Sequence, residues 1–530
     1  MLSRGHLFVV QADLTRLAAD AFLIPCDTDL NVTGGWRPFL EPGAKAQESG
    51  QWFTPRGVKS EDGFRYLPDT TPGVDRPAPD QVVGLRVLVD TVTAESIPAM
   101  VQHSLAAVRF AAGKAARRGG RALPLIAMPI LGVGQGNFPG QRVEVLRELI
   151  AQLLNFVSRH PIDVALVLRR PADFAAAEWV RSQVPDADGV AWPELSATHL
   201  ALADRLGMQA ARGGLSVFVG AGVSKPVGFP DWRELLLELA RAHGKALVIP
   251  DEPNYPQLAQ DLQIETLDKE IALRFGTNKH ALGHALLADL RTGSLVTTNY
   301  DPCLENAAAA IHIHPTKLRV LARELAVGND PWLLKLHGDI AHPATIVLTT
   351  EQYKRLTTDH HALRGVVQSL MLTSHLLFVG FGFADDDFLA MSTAVQKVRS
   401  LAQEATSDAK VGTAIELRES KKHPYTELDY QHMSPADSDV PEAARLLEIL
   451  LDRLTWRCQV TNDARAAFLL DPAYQEGQKA ADVELRHKLL ELHEVANRHR
   501  GSAGYDAVTD LLRSLGHPDS TGSGATVAST

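Results

Sequence analysis

The sequence predicts an α/β protein made of two α/β domains, a mixed sheet followed by a Rossmann-like parallel sheet, with a helical carboxyl-terminal extension. Its 530 residues exceed what one hydrophobic core usually organises. Apolar, strand-like runs alternate with segments of helical spacing in two successive stretches, which is typical of sheets covered by helices. Beyond about residue 440 only the helical spacing continues.

The first stretch of alternation predicts a domain over residues 1–190. Its predicted strands cover residues 6–13, 21–27, 82–90, 123–130 and 163–170. Its predicted helices cover residues 96–118, 142–159 and 172–184, the first of them capped by Ser96. Residues 31–80, rich in glycine, proline and charge, predict a long loop region. Residues 191–212 predict a linker that includes an alanine-rich helix.

The second stretch predicts a domain over residues 213–440. Its predicted strands cover residues 215–220, 294–299, 332–338, 345–350 and 375–382. These apolar runs are continuous rather than alternating, as in parallel sheets buried on both faces. Asp231, followed three residues later by Glu234, predicts a capping box for a helix over residues 231–243. Residues 441–520 predict the helical extension, and residues 521–530 a disordered tail.

The composition argues against several classes of protein and of site. The formal net charge is −10, which does not favour binding to nucleic acid through its phosphates. The three cysteines form no CxxC pair, so neither a disulfide framework nor a four-cysteine zinc site is expected. The sequence carries no signal-peptide pattern and no apolar run long enough to span a membrane. We therefore expect a cytoplasmic protein with no membrane partner.

A glycine-rich turn follows the first strand of the second domain. The segment VFVGAGVSKPVGFPDWREL, residues 217–235, leads from that strand through Gly220 and Gly222 into a helix. Glycines in this position let phosphate oxygens approach main-chain amides, as in dinucleotide sites. The same pattern also fits a tight strand-to-loop turn in any α/β protein. The glycines alone do not distinguish these two interpretations.

Four segments of the second domain, taken in order, resemble the sirtuin family. They are GAGVS with GFPDWR at 220–233, TTNYD at 297–301, KLHGD at 335–339 and VGFGFADDDF at 379–388. Each lies where a predicted strand ends, and open α/β sheets bind ligands at the carboxyl ends of their strands. The resemblance covers roughly residues 213–400 and implies a site for NAD.

The resemblance implies that NAD is the substrate and that Asn299 and His337 are the catalytic residues. Cleavage of the nicotinamide–ribose bond passes through an oxocarbenium-like transition state. Asn299 would hold the ribose and a water molecule, and His337 would act as general base. The resemblance assigns the remaining contacts with NAD to Gly220, Ala221, Gly222, Ser224, Asp231, Trp232, Arg233, Thr298, Asp301, Gly380, Gly382 and Asp387.

The match is closer to the bacterial sirtuin-like NAD hydrolases of antiphage defence than to protein deacylases. Deacylase sirtuins carry two CxxC pairs that hold zinc, and this sequence has none. Thr298 also stands where deacylases have glutamine. The sequence therefore predicts a regulated NAD hydrolase that depletes NAD. We expect it to form a homo-oligomer and to hold no metal. A non-catalytic sensor of NAD or ADP-ribose, and a deacylase or ADP-ribosyltransferase, are the alternatives.

Each candidate residue also has a purely structural interpretation. His337 could be an ordinary buried histidine, and Asn299 a turn residue at a strand end. Asp231 caps a helix whatever else it does, and Trp232 could belong to the core. Asp385, Asp386 and Asp387 could form only a solvated turn and helix start. The order of the four segments favours the functional interpretation of Asn299 and His337.

The first domain resembles macro domains, which bind ADP-ribose. The resemblance is carried by QADLTRLAADAFLIPCDTDLNVTGGW at 11–36 and PILGVGQGNFPG at 129–140, and it covers roughly residues 5–185. The run Pro25 to Thr28 departs from the Asn-Ala-Ala-Asn of that family. Gly132, Gly134 and Gly136 could hold phosphates through backbone amides. A glycine-rich turn without a ligand is the alternative, and an ADP-ribose-like nucleotide is the expected partner.

Overall fold

The computed structural model describes residues 4–41, 43–45, 51–69, 84–311, 318–321, 323–325, 330–359, 361–383, 386–401, 410–420, 423, 425–462, 466–476 and 478–518. The chain forms two compact units. The first comprises Met1–Arg118, Ala122–Asp204 and Asp452–Thr530, and the second Gly119–Arg121 and Arg205–Leu451. Each unit is built on its own sheet, so the predicted α/β class is confirmed. The predicted domain boundaries stay a prediction.

The first unit contains a seven-stranded mixed sheet and a two-stranded ribbon. Its strands are β1 (Leu7–Gln11), β2 (Ala21–Cys26), β3 (Val32–Thr33), β4 (Trp52–Phe53), β5 (Lys59–Glu61), β6 (Phe64–Leu67), β7 (Leu85–Asp90), β8 (Leu125–Met128) and β9 (Asp163–Leu168). The order in the main sheet is β1-β9-β8-β2-β7-β6-β5. Strands β1, β9, β8, β2 and β7 run parallel to one another, whereas β6 and β5 are antiparallel strands at one edge. The parallel strands therefore end at a common edge.

Helices connect these strands as the apolar spacing predicts. They are α1 (Arg37–Leu40), α2 (Ile97–Lys114), α3 (Arg142–Val157), α4 (Pro171–Ser182), α5 (Ala187–Ala191) and α6 (Ala197–Ala211). Ser96 caps α2, as predicted, by accepting a hydrogen bond from the amide of Ala99 at 3.3 Å. The predicted helices and strands of this half are confirmed to within a few residues.

A buried carboxylate explains why residues beyond 452 belong to the first unit. Asp452 is fully buried and accepts hydrogen bonds from Arg181 Nη1 and Trp192 Nε1, both at 2.7 Å. Arg181 also pairs with Glu178 at 2.9 Å, and His6 lies 3.3 Å from Asp452. Because an unpaired buried charge is costly, this network holds the carboxyl-terminal part of the chain against the amino-terminal sheet.

The second unit contains a seven-stranded sheet in which every pairing is parallel. Its strands are β10 (Leu215–Val219), β11 (Ser294–Thr297), β12 (Arg319–Leu321), β13 (Trp332–Lys335), β14 (His375–Val379), β15 (Gly412–Arg418) and β16 (Leu428–Ser434). Their order is β12-β13-β11-β10-β14-β15-β16. The predicted parallel sheet is confirmed, and β10 lies at its centre, where the strand order changes direction.

Helices cover this sheet and continue towards the carboxyl terminus. Those of the second unit are α7 (Trp232–Ala242), α8 (Tyr255–Asp261), α9 (Leu267–Arg274), α10 (Leu282–Asp289), α11 (Cys303–Ile311), α12 (Thr350–Asp359), α13 (His361–Thr373) and α14 (Asp386–Leu401). Helix α15 (Val440–Thr461) has residues in both units, and α16 (Ala480–Arg498) and α17 (Tyr505–Ser514) belong to the first. The predicted helical extension is confirmed. The predicted disordered tail lies outside the described residues. No helix in the described ranges combines the length and apolarity that a membrane span requires.

Three sequence predictions about elements were wrong or incomplete. Residues 345–350 form no strand, because Thr349 and Gln352 make reciprocal capping hydrogen bonds that start α12. Strands β12, β15 and β16 are not among the predicted elements. The region 31–80, predicted as loop, contributes the short strands β3 to β6.

Candidate functional site

The carboxyl ends of four neighbouring strands meet at one edge of the second sheet. Val219 is in register with Thr297 of β11 and with Val379 of β14. Thr297 is in turn in register with Lys335 of β13. The four segments that suggested a site therefore leave the sheet side by side, as the sequence predicts. This edge is where parallel sheets place their ligands.

The glycines of the first and last segments lie against each other. Gly222 donates a hydrogen bond from its amide to the carbonyl of Gly380 at 3.0 Å. A Cβ on Gly220 would lie 2.3 Å from that carbonyl oxygen, and Gly380 has φ +66°. A side chain fits at neither position, so these glycines are required by backbone packing in any case.

The hydroxyl of Ser224 is the centre of a buried hydrogen-bond network. It donates to Asp301 Oδ2 at 2.9 Å and accepts from Asn299 Nδ2 at 3.1 Å. His284 Nε2 lies 3.2 Å from the same oxygen. The hydroxyl thus uses its one donor and both acceptor positions. Ser224 joins the glycine turn after β10 to the polar end of β11.

His284 is a site residue that the sequence analysis missed. Its Nδ1 accepts a hydrogen bond from the amide of Ala281 at 3.1 Å, so in the neutral ring Nε2 carries the proton that it donates to Ser224. Burial lowers the pKa of His284 to about 4, with Asp301 acting in the opposite direction. The ring is therefore neutral near pH 7. The available signal was a histidine in the otherwise apolar first turn of α10.

Asn299 is buried, and its amide hydrogens are both used inside the protein. They reach the carbonyl of Gly220 and the hydroxyl of Ser224, each at 3.1 Å. Thr297 Oγ1 accepts from the Asn299 amide nitrogen at 3.0 Å and donates to the carbonyl of Val219 at 2.9 Å. The predicted donation from the Asn299 side chain to ribose is thus in competition with these bonds, and Oδ1 is the atom left to face a hydroxyl.

His337 follows β13 and is buried beside a tyrosine. The rings of His337 and Tyr353 meet edge to face at 5.2 Å, with Tyr353 Oη 3.5 Å from Nδ1. Lys335, two residues earlier, is also buried and donates from Nζ to the carbonyls of Tyr300 and Asp301 at 2.9 and 2.8 Å. Lys335 thereby fixes the main chain that carries Asp301. Sequence analysis missed both Lys335 and Tyr353.

The start of α7 has the structure that its capping motif predicts. Asp231 Oδ1 accepts from the amide of Glu234 at 2.9 Å, and Glu234 Oε2 accepts from the amide of Asp231 at the same distance. Lys225 donates to Asp231 Oδ2 at 2.9 Å. Trp232 stacks on Tyr255 with centroids 5.7 Å apart, and Arg233 is exposed. The cap and the stacking account for Asp231 and Trp232 without a ligand.

Three of the remaining residues predicted to contact NAD are less buried than Asn299 and His337. Ala221 and Thr298 are half-buried, and Gly382 is exposed after β14. Thr297, rather than Thr298, makes the hydrogen bonds that join β11 to β10. Asp387 belongs to α14, but its side chain lies outside the described residues, as does the predicted acidic residue Asp385.

Three side chains near Ser224 could in principle hold a metal ion. Ligand atoms of His284, Asp301 and Cys303 all lie within 4.8 Å of one another. Both oxygens of Asp301 already accept hydrogen bonds, from Ser224 and from the amide of Cys303. Burial, together with Asp301, raises the pKa of the Cys303 thiol well above its usual value, so the thiol stays protonated. The set fits a hydrogen-bond network better than a thiolate metal site.

Residues 293–430 match the family model described as a SIR2-like domain. The matched range contains Asn299, Asp301, His337, Gly380 and Gly382, and it leaves out the glycine turn after β10. The match therefore covers the part of the second unit that runs from β11 to the first residues of β16.

Curated proteins align with stretches of the chain of about 200 residues. The chain is 30% identical over 185 residues to the NAD(+) hydrolase ThsA of Enterococcus faecium, which covers 33% of this chain and 38% of that protein. It is 29% identical over 195 residues to the NAD(+) hydrolase ThsA of Bacillus cereus (strain MSX-D12), covering 35% and 40%. It is 24% identical over 203 residues to defense-associated sirtuin 2 of Bacillus subtilis, covering 35% and 20%. The chain thus spans two fifths or less of these relatives.

The first unit has a separate cleft at the carboxyl edge of its own sheet. The cleft encloses about 200 Å³ and is bordered by residues that follow β1, β2, β8 and β9. Its polar and aromatic lining includes Asp13, Trp36, Arg142, Arg169, Arg170 and Asp173, together with the glycine turn Gly132 to Gly136. Gly132 has φ +77°, and a Cβ there would lie 2.3 Å from Met100 Sδ. The predicted glycine turn thus borders a cavity that contains arginine side chains.

Proposed function

We propose that this protein hydrolyses the nicotinamide–ribose bond of NAD, with nicotinamide and ADP-ribose as products. The observation that carries the proposal is the buried network that links Ser224, Asn299 and Asp301 at the ends of β10 and β11. Such a preorganised polar cluster suits a reaction that depends on positioning. The similarity of the region to proteins named NAD(+) hydrolase supports the same chemistry.

In the proposed reaction, Asn299 positions the ribose through Oδ1, because its amide hydrogens hold Gly220 and Ser224. His337 removes a proton from the attacking water as the carbon–nitrogen bond to nicotinamide breaks. The water oxygen bonds to the anomeric carbon, the electron pair of the broken bond leaves with nicotinamide, and one proton is released. Asp301 faces the nicotinamide carboxamide. The acceptors that fix Asn299, the carbonyl of Gly220 and the hydroxyl of Ser224, lie in place before substrate arrives, which favours the transition state.

The remaining predicted residues bind the rest of NAD in this proposal. The pyrophosphate lies at the turn that contains Gly220, Ala221 and Gly222, where main-chain amides can donate to it. Trp232 covers the ribose, and Arg233 meets the phosphates. The adenosine end lies at the strand end of β14. The other residues that would contact NAD in this proposal are Ser224, Asp231, Thr298, Gly380, Gly382 and Asp387.

We propose in addition that the cleft of the first unit binds an ADP-ribose-like nucleotide, as the resemblance to macro domains implies. Its three arginines outnumber its two aspartates, Asp13 and Asp173, and Trp36 offers a ring for a base.

An enzyme that depletes NAD would harm its own cell unless it were controlled. We therefore infer a regulated effector of antiphage defence that acts as a homo-oligomer in the cytoplasm.

The direct test is to incubate the purified full chain with NAD and to quantify nicotinamide and ADP-ribose by liquid chromatography. We expect equal amounts of the two products, with the activity changing when ADP-ribose-like nucleotides are added. A parallel assay with an acylated peptide separates the alternatives. Release of nicotinamide only when peptide is present would replace hydrolysis by deacylation. Binding of NAD with all of it recovered intact would indicate a sensor.

A further inference from the structure

The segment between α15 and α16 connects the cleft of the first unit to the carboxyl-terminal helices. We call residues 466–476 the sensor segment. Asp471 of this segment pairs with Arg170, which lines the cleft. Tyr474 is fully buried and donates from Oη to Asp173 Oδ1 at 2.7 Å. Two side chains of the sensor segment thus lie directly behind charged groups of the cleft wall.

The two contacts differ in how easily a ligand could displace them. Asp173 is buried, and its oxygens also accept from Arg142 Nη1 at 3.0 and 3.1 Å, so the contact with Tyr474 is held from both sides. Arg170 is more accessible, with 30% of its side chain exposed; besides Asp471, which is 12% exposed, its Nη1 lies 3.5 Å from Asp173 Oδ1. Because the Arg170 guanidinium is reachable from the cleft, a phosphate bound there can compete with Asp471 for it.

The opposite side of the sensor segment holds the last two helices. Arg486 of α16 donates from Nη1 to the carbonyls of Leu469 and Asp471, at 2.6 and 3.2 Å. The amide of Leu470 donates to the carbonyl of Leu515, just after α17, at 2.8 Å. A displacement of Asp471 would therefore change hydrogen bonds that position both α16 and α17.

We propose that an anionic, phosphate-bearing ligand in the cleft takes Arg170 from Asp471, and that the sensor segment transmits this change to α16 and α17. The proposal rests on the nucleotide-binding role suggested for the cleft and is independent of whether the second unit hydrolyses NAD. It gives the carboxyl-terminal helices a function as the responding element of the first unit. The ligand class follows from the arginine lining, since guanidinium groups recognise phosphate.

The test combines calorimetry with hydrogen–deuterium exchange on the full chain, using ADP-ribose and, separately, inorganic pyrophosphate as probes. We expect binding to change the exchange rates of peptides that cover the sensor segment, α16 and α17. Asp471→Asn should leave Arg170 with Asp173, 3.5 Å away, as its remaining charged neighbour in the cleft wall, and tighten binding by about two- to fivefold, the range measured for removal of one partner from a partly exposed pair. The matched control Glu484→Gln removes an exposed negative charge on α16 and should leave binding unchanged.

Arg170→Gln identifies the site at which the probe acts. It should weaken binding at the cleft by about tenfold or more, as loss of a charge-assisted contact does, and abolish the exchange response. A response that persists in Arg170→Gln arises elsewhere and overturns the proposal. Binding in the wild type without any change in the sensor segment, α16 or α17 overturns the coupling while leaving the cleft as a binding site. No binding of either probe at millimolar concentration overturns both.

Discussion

Ser224 donates its hydroxyl hydrogen to Asp301 Oδ2 at 2.9 Å, across the ends of two adjacent parallel strands. The two residues are 77 positions apart in the chain. Because Ser224 also accepts from Asn299, the serine sets the orientation of both polar groups that follow β11. A single hydroxyl thus organises the candidate site, and the predictions below concern the groups that surround it.

Asn299→Ala and His337→Ala should each lower the rate of NAD hydrolysis by at least about 100-fold. Such losses are typical when a positioning group or a general base is removed. Initial rates of nicotinamide release provide the measurement, and circular dichroism spectra establish that each variant is folded. Full activity in a correctly folded His337→Ala protein would remove the histidine from the mechanism. Arg233→Ala, an exposed change at the same edge, should affect KM more than kcat.

The free energy of unfolding should decrease as the pH is lowered, because His284 is buried in its neutral form. Burial lowers its folded-state pKa from 6.5 to about 4. Between these values the unfolded chain binds a proton that the folded chain does not, so the free energy of unfolding decreases as pH falls through this window, by up to about 3 kcal/mol.

The variant His284→Gln isolates this contribution, since glutamine can still donate to Ser224 but does not titrate. The free energies of unfolding of wild type and variant, measured by urea titration, should differ more near neutral pH than near the lower limit of the window. At that limit the wild type has lost the stability that the neutral His284 contributes. His375, whose pKa burial also lowers to about 4, is present in both proteins and cancels. Parallel pH profiles for the two proteins would show that His284 is not the titrating group.

Lys335→Met should destabilise the second unit by about 3–5 kcal/mol, the usual effect of breaking a buried ion pair by removing one partner. The change removes the ammonium group that donates to Glu305, 3.0 Å from Lys335 Nζ, and to two main-chain carbonyls, and leaves Glu305 facing Arg323 at 3.6 Å. Thermal unfolding provides the measurement. Glu305→Gln in the same background should recover part of the loss. Lys269→Met, at an exposed position, should stay within about 0.5 kcal/mol of wild type.

Gly380→Ala should be far more destabilising than Gly382→Ala, although the two glycines are only two positions apart. Gly380 has φ +66°, and an added Cβ would lie 2.7 Å from the main-chain nitrogen of Val223. Nothing lies within 4 Å of a Cβ added at Gly382. We expect a loss of about 3 kcal/mol or more for the first change and under about 1 kcal/mol for the second. Equal effects in thermal unfolding would contradict the close backbone approach.

Local sequence signals predicted most of the elements that position the site. The reciprocal bonds of Asp231 and Glu234 span three residues, so the start of α7 can be recognised from the sequence alone. The continuous apolar runs of β10, β11, β13 and β14 likewise predicted a parallel sheet whose strand ends meet. The strand predicted at 345–350 failed for the same local reason, because the capping bonds of Thr349 and Gln352 outweigh the β-branched composition.

The sequence by itself determined the fold class, the strands β10, β11, β13 and β14 and the four segments that reach the sheet edge from them, because periodicity, caps and glycines act over a few residues. Only the tertiary structure decided which polar atoms meet there. His284 reaches Ser224 from 60 positions away, and Lys335 reaches Tyr300 from 35. Hydrogen bonds between groups so distant in the chain depend on how helices pack on the sheet, which no local pattern encodes.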